Sequence, residues 1–61
     1  MDIKEVKEAL SKRKLVTYDN SDYVITTYIL RFNGKWQHLL ELKDLKANSV
    51  RIVPIEKVEV D

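Results

Sequence analysis

The sequence predicts a mainly β fold of the α+β class: one N-terminal helix, then four or five short antiparallel strands in a meander. Three observations predict it. Apolar residues recur at helical spacing near the N-terminus, at Ile3, Val6 and Leu10. From Leu15 onward the chain is dense in β-branched and aromatic residues, as in YVITTYILRF. Clusters of turn-forming residues, DNSD and NG among them, then punctuate it at short intervals.

The helix is expected over about residues 2–13. Asp2 and Glu5 have the spacing of an N-terminal capping box, and Ala9 widens the apolar stripe. Lys12, Arg13 and Lys14 lie at the far end, where cations favour the negative pole of the helix dipole. About three turns is marginal for an isolated helix, so it must dock its stripe on something. The first strand, about 15–18, leads into the DNSD turn. The second, about 23–32, and the third, about 35–43, flank Asn33-Gly34. Asn-Gly between apolar runs supplies the positive φ angles of a two-residue type I′ hairpin. KDLKANS breaks the third strand, and VRIVP resumes over about 49–54. Pro54 cannot donate to a ladder and marks an edge, a bulge or a boundary. IEKVEV reads as a last strand, about 56–60, or as a 3-10 turn followed by one. Residues 1–61 form a single domain, with an SH3-like small barrel as the first architecture and a flatter sheet with the helix across one face as the second.

Composition bounds the function. The chain has 61 residues, 44% of them hydrophobic and 34% charged, with no cysteine and a formal net charge of +1. A core this small supplies a stability of roughly 3–5 kcal/mol, and neither a disulfide nor a thiolate zinc site is open to it. A charge so near neutral argues against a strong, field-driven nucleic-acid binder. No apolar run reaches the roughly 18–20 residues of a membrane span. The N-terminal MDIKEVKEAL lacks a signal-peptide apolar segment. Together these point to the cytoplasm.

Catalytic motifs are missing. There is no Cys nucleophile and no Gly-rich phosphate loop, and Ser11, Ser21 and Ser49 have no base at motif spacing. His38 is the only histidine and has no metal-binding partners at a recognisable spacing. The reading is therefore of a protein that is no enzyme and carries no cofactor or metal.

The central hairpin is the place to look for a contact surface. With a two-residue turn, Phe32 faces Lys35 and Arg31 faces Trp36. Tyr28, Leu30, Phe32 and Leu39 then share one face, and Ile25, Ile29, Arg31, Trp36, His38, Leu40 and Leu42 the other. Neither face is polar, unlike an antiparallel sheet with one solvated side. Either the hairpin curls so that its two halves bury opposite faces, or the helix covers one side and the remaining strands the other, or one side meets another molecule. Arg31 beside Trp36 would make a cation–π pair.

GKWQHLLELKDLKANSVRIVPIEKVEV, with the strand–turn–strand that leads into it, resembles small uncharacterised proteins of mobile elements (prophages and conjugative transposons) in low-GC Gram-positive bacteria. The resemblance covers most of the chain and implies a bacterial, intracellular accessory protein. It brings no activity and no site residues with it.

The function expected is a non-catalytic binding or regulatory module for another protein or for a second copy of itself. Its contact residues are Tyr28, Leu30, Phe32 and Leu39, with Trp36 at the rim. The alternative is a nucleic-acid-binding accessory domain, with Lys12, Arg13, Lys14, Arg31, Lys35 and Arg51 on phosphates and Trp36 or Tyr28 stacking on bases.

Overall fold

A computed structural model describes residues 1–60. Helix α1 (Ile3–Lys12) is followed by strands β1 (Leu15–Tyr18), β2 (Ser21–Phe32), β3 (Trp36–Asp44) and β4 (Ser49–Pro54). A 3-10 helix (Ile55–Lys57) and the two-residue strand β5 (Glu59–Val60) follow. Of the expected last strand, about 56–60, only Glu59–Val60 is strand, preceded by the 3-10 turn that the sequence offered as the alternative. Pro54 sets its fixed φ just ahead of the turn and ends the β4 ladder.

The helix starts as its sequence dictates. The Asp2 carboxylate accepts from the Glu5 backbone N–H at 2.8 Å, and the Glu5 carboxylate accepts from the Asp2 N–H at 3.0 Å. At the other end Arg13 adopts the left-handed conformation, φ 52°, and the Lys14 N–H returns to the Ala9 carbonyl at 3.0 Å. The helix buries Val6 and Ala9.

All strands are antiparallel neighbours in one open sheet of order β4-β3-β2-β1-β5. The first four form the meander; β5 returns to pair with β1 at the opposite edge from β4. Only residues 55–58 separate β4 from β5. Five Cα steps span at most about 18 Å, and a 3-10 turn shortens that. A flat five-stranded sheet holds its edges about 19 Å apart. The sheet therefore has to bend, and the core lies in its hollow: Val16, Tyr23, Ile25, Leu40, Leu42, Val53 and Val58 against Val6 and Ala9 of the helix. The Met1 amino nitrogen donates to the Ile55 and Val58 carbonyls, both at 3.3 Å, which ties the start of the helix to the connection between the sheet edges.

Two turns exchange roles relative to expectation. Asp19 and Asn20, between β1 and β2, both have positive φ, 50° and 63°, and join the directly paired Tyr18 and Ser21. They make the two-residue hairpin. Asn33-Gly34 sits in a three-residue loop instead: Phe32 pairs with Trp36, Arg31 with Gln37, and the Asn33 N–H donates to the Lys35 carbonyl at 3.0 Å. Gly34 holds the positive φ there, 76°.

The extra loop residue shifts the register by one, and a β-bulge shifts it back. Ile25 pairs with Leu42 and Thr27 with Glu41, so Thr26 has no partner of its own. The Thr26 hydroxyl reaches the Glu41 carboxylate at 2.6 Å and the Thr27 hydroxyl reaches the same oxygen at 3.1 Å. Between loop and bulge, every β2 side chain is on the face opposite to the one a two-residue turn predicts. Beyond the bulge the two displacements cancel, and Ile25 faces Leu42 as the sequence predicts.

Candidate functional site

The helix covers only half of the sheet's inner face. Tyr23, Ile25, Leu40 and Leu42 lie under it. On the same face, farther along the hairpin, come Tyr28, Leu30 and Phe32 of β2 and His38 and Trp36 of β3, because the ladder pairs Tyr28 with Leu40, Leu30 with His38 and Phe32 with Trp36. β2 is twelve residues long, whereas β1 pairs only as far as Val24 and β4 only as far as Leu39 on β3. The distal hairpin is thus a two-stranded ribbon standing out from the body of the molecule. Leu30 is 53% exposed and Phe32 and Trp36 are each 62% exposed.

The patch is internally ordered. Phe32 and Trp36 meet edge to face, ring centroids 5.1 Å apart at 65°, a geometry the aromatic quadrupole favours. Tyr28 and His38 stack at 5.9 Å and 11°, and the Tyr28 hydroxyl is hydrogen-bonded to His38 Nδ1. No Asp or Glu occurs between Thr26 and Leu40; the charged residues of that stretch are Arg31 and Lys35.

Of the residues expected to form a contact surface, Tyr28, Leu30, Phe32 and Trp36 come together on this face. Leu39 does not: it pairs with Ile29 and Pro54 on the reverse face. Trp36 lies opposite Phe32 at the distal end of this row, and His38 joins it opposite Leu30. The physical cause is the one-residue shift at the loop. Arg31, directed to the reverse face beside Gln37, makes no cross-strand pair with Trp36. The only signal that places His38 here is the aromatic match of Phe32 with Trp36, which a three-residue loop satisfies and a two-residue turn does not.

The reverse face also carries exposed apolar residues, among them Leu15, Val50 and Ile52. It is interrupted: Glu41 pairs with both Thr27 and Ile52, and Lys43 stands between Val24 and Val50. The inner distal face has no such break.

The basic residues do not converge. Lys12 and Lys14 both pair with the Glu8 carboxylate, at 3.6 and 2.5 Å. The hydrogen bond from Lys14, its charge and then that of Lys12 hold the Glu8 carboxyl below the ordinary carboxylate value. Arg13 is the left-handed helix cap, Lys35 is in the hairpin loop, and Arg51 lies opposite Leu42 on β4. No single groove joins the six.

An open groove of about 530 Å³ lies between the β1–β2 and β3–β4 turns, with Leu15, Asp22, Tyr23, Asp44, Leu45 and Lys46 in its lining. Asp44 is committed to its own turn, accepting from the Lys46 and Ala47 N–H groups at 2.9 and 3.2 Å. Among the described residues no group of three or more acidic or histidine side chains is placed to hold a metal ion. Nor is any helix long and apolar enough to cross a membrane. In comparisons with known proteins, no family model, no curated protein and no solved structure matches this chain.

Proposed function

We propose that this chain is a non-catalytic protein-interaction module of SH3-like build, which docks its partner on the distal inner face of the β2–β3 hairpin. The observation that carries the reading is the open apolar patch of Leu30, Phe32 and Trp36, flanked by His38 and by Tyr28, which is half-buried against the core, on a face whose other half is packed. In so small a domain nearly every large side chain is needed for burial, and rings held out in water in contact with one another mark a surface meant to be covered. The strand order and the 3-10 turn joining the sheet edges support the SH3-like reading. The resemblance to mobile-element proteins makes a bacterial, cytoplasmic accessory role the setting for it.

The rival reading, nucleic-acid binding, has one observation in its favour: four rings and two cations on a distal hairpin whose residues 27–40 include no carboxylate, as stacking platforms have. The scatter of the remaining cations and a net charge of +1 weigh against it. A photo-cross-linking residue at Phe32, with Leu45 as an equally exposed control, separates the two in lysate of the native host. The proposal expects protein adducts from position 32 that are absent from position 45. Nuclease-sensitive adducts, or none above the control, overturn it.

A further inference from the structure

We infer that a second copy of this chain pairs with the free edge of β2, antiparallel and about a two-fold axis at Leu30. The inference rests on the docking reading above and names a second copy as the partner, seated beside that face along its β2 edge.

Among the described residues four stretches of sheet edge are open, and they are unequal; on β3 only Trp36–His38 lie beyond the reach of β4. β5 contributes two residues. β4 carries Pro54 and an exposed Arg51, both features that discourage strand addition. Along β2, β1 stops pairing at Val24, and among the described residues no strand lies against Ile25–Phe32 on that side. The bulge at Thr26 is at the inner end of this edge. From Thr27 to Phe32 there is no proline, no lysine and no further bulge, and Arg31 is the one charged side chain, so the edge is least protected where it is longest.

The sequence of this edge is complementary to itself. A two-fold axis normal to the sheet preserves faces, so residues of like parity must oppose one another. With the axis at Leu30, Leu30 opposes Leu30 of the second copy, Tyr28 opposes Phe32, and Ile29 opposes Arg31. The apolar rows then run unbroken across four strands: Trp36, Phe32 and the second copy's Tyr28 in one, His38, Leu30 and their counterparts in the next. Moving the axis to Arg31 sets like charges directly opposite, which is destabilising. Moving it to Ile29 sets Phe32 against Thr26 and divides the rings. With no carboxylate from Thr26 to Leu40, nothing on the hairpin attracts a basic partner in preference to an apolar one.

The area sets the strength. Edge pairing leaves the outer faces of Leu30, Phe32 and Trp36 open and buries only part of their apolar side-chain surface, on the order of 300 Å² per copy, well below the about 800 Å² per partner of a standard stable interface. The dimer is accordingly weak, with a dissociation constant on the order of 0.1 mM.

Sedimentation equilibrium from about 10 µM to about 1 mM, a range that brackets that constant, should show monomer passing to dimer. Leu30→Lys, which places like charges across the axis on a half-exposed site, should keep the parent circular dichroism and remain monomeric throughout. The chain has no cysteine of its own, so single-cysteine variants report register directly. Under mild oxidation Leu30→Cys should cross-link to itself at least tenfold faster than Ile29→Cys or the β4-edge control Val50→Cys, because directly opposed residues fall within disulfide reach. A monomer at the highest concentration, a dimer that survives Leu30→Lys, or faster cross-linking at position 29 or 50 overturns the inference. If it is overturned while the position-32 photo-cross-linker still yields adducts to a different protein, the docking reading stands and only the occupant is wrong. If position 32 yields no protein adduct, the docking reading itself fails.

Discussion

Two residues hold positions that their neighbours cannot explain by packing. Gly34 has φ 76°, and a Cβ built on it meets nothing within 4 Å. Any cost of substitution is therefore conformational and not steric crowding. Gly34→Val should lower stability by more than about 1 kcal/mol, because a β-branched residue resists positive φ; denaturant unfolding measures it. Glu8 is the second. Its carboxyl is held below the ordinary value chiefly by the Lys14 hydrogen bond and charge. The folded state thus binds this proton less readily than the unfolded chain. The associated stability is present above the ordinary carboxylate range and is lost as pH falls through the lowered value. Glu8→Gln should melt below the parent at neutral pH, and the gap should close on acidification; a gap that persists in acid would assign it to something other than this ion cluster.

At the scale of the element, the hairpin is governed by one extra residue in its loop and one in its strand. Deleting Lys35 leaves Phe32-Asn33-Gly34-Trp36, a two-residue Asn-Gly turn that keeps Phe32 opposite Trp36 and every other pair of the ladder. The deletion should fold at least as stably as the parent and retain ring-to-ring nuclear Overhauser contacts between Phe32 and Trp36. Loss of those contacts would mean that the loop is not the free insertion it resembles here. This is also where the sequence stopped being legible. Asn-Gly promises a two-residue turn, and propensity alone cannot see that a cross-strand Phe–Trp pair outweighs it. The bulge at Thr26 leaves no mark either: a Thr-Thr step between apolar runs is ordinary strand. Because the two displacements cancel, the expected pairing of Ile25 with Leu42 holds while that of Arg31 with Trp36 does not. By contrast the helix start was fully legible, since a capping box is a local device and needs no knowledge of what the helix docks on.

For the molecule as a whole, the order of one helix and five strands could be read from periodicity and turn residues, and so could the four-residue set Tyr28, Leu30, Phe32 and Trp36 as surface candidates. What connects the two edges of the sheet could not. The return of β5 to β1 depends on a bend imposed by a connection of residues 55–58, a tertiary constraint with no local signature. That bend draws helix, 3-10 turn and proximal sheet around one small core and leaves the distal hairpin outside it. One sheet face is thereby divided into a packed half and an exposed half. Leu30 and Leu40 provide the comparison, being the same residue type on that face: Leu40 is wholly buried and Leu30 is 53% exposed. Equilibrium unfolding of Leu40→Ala and Leu30→Ala at low protein concentration tests the division most directly. Leu40→Ala should lose about 2–5 kcal/mol, close to the entire stability of so small a domain, and Leu30→Ala about 1 kcal/mol or less. Equal losses would mean that the hairpin's open face is part of the core after all.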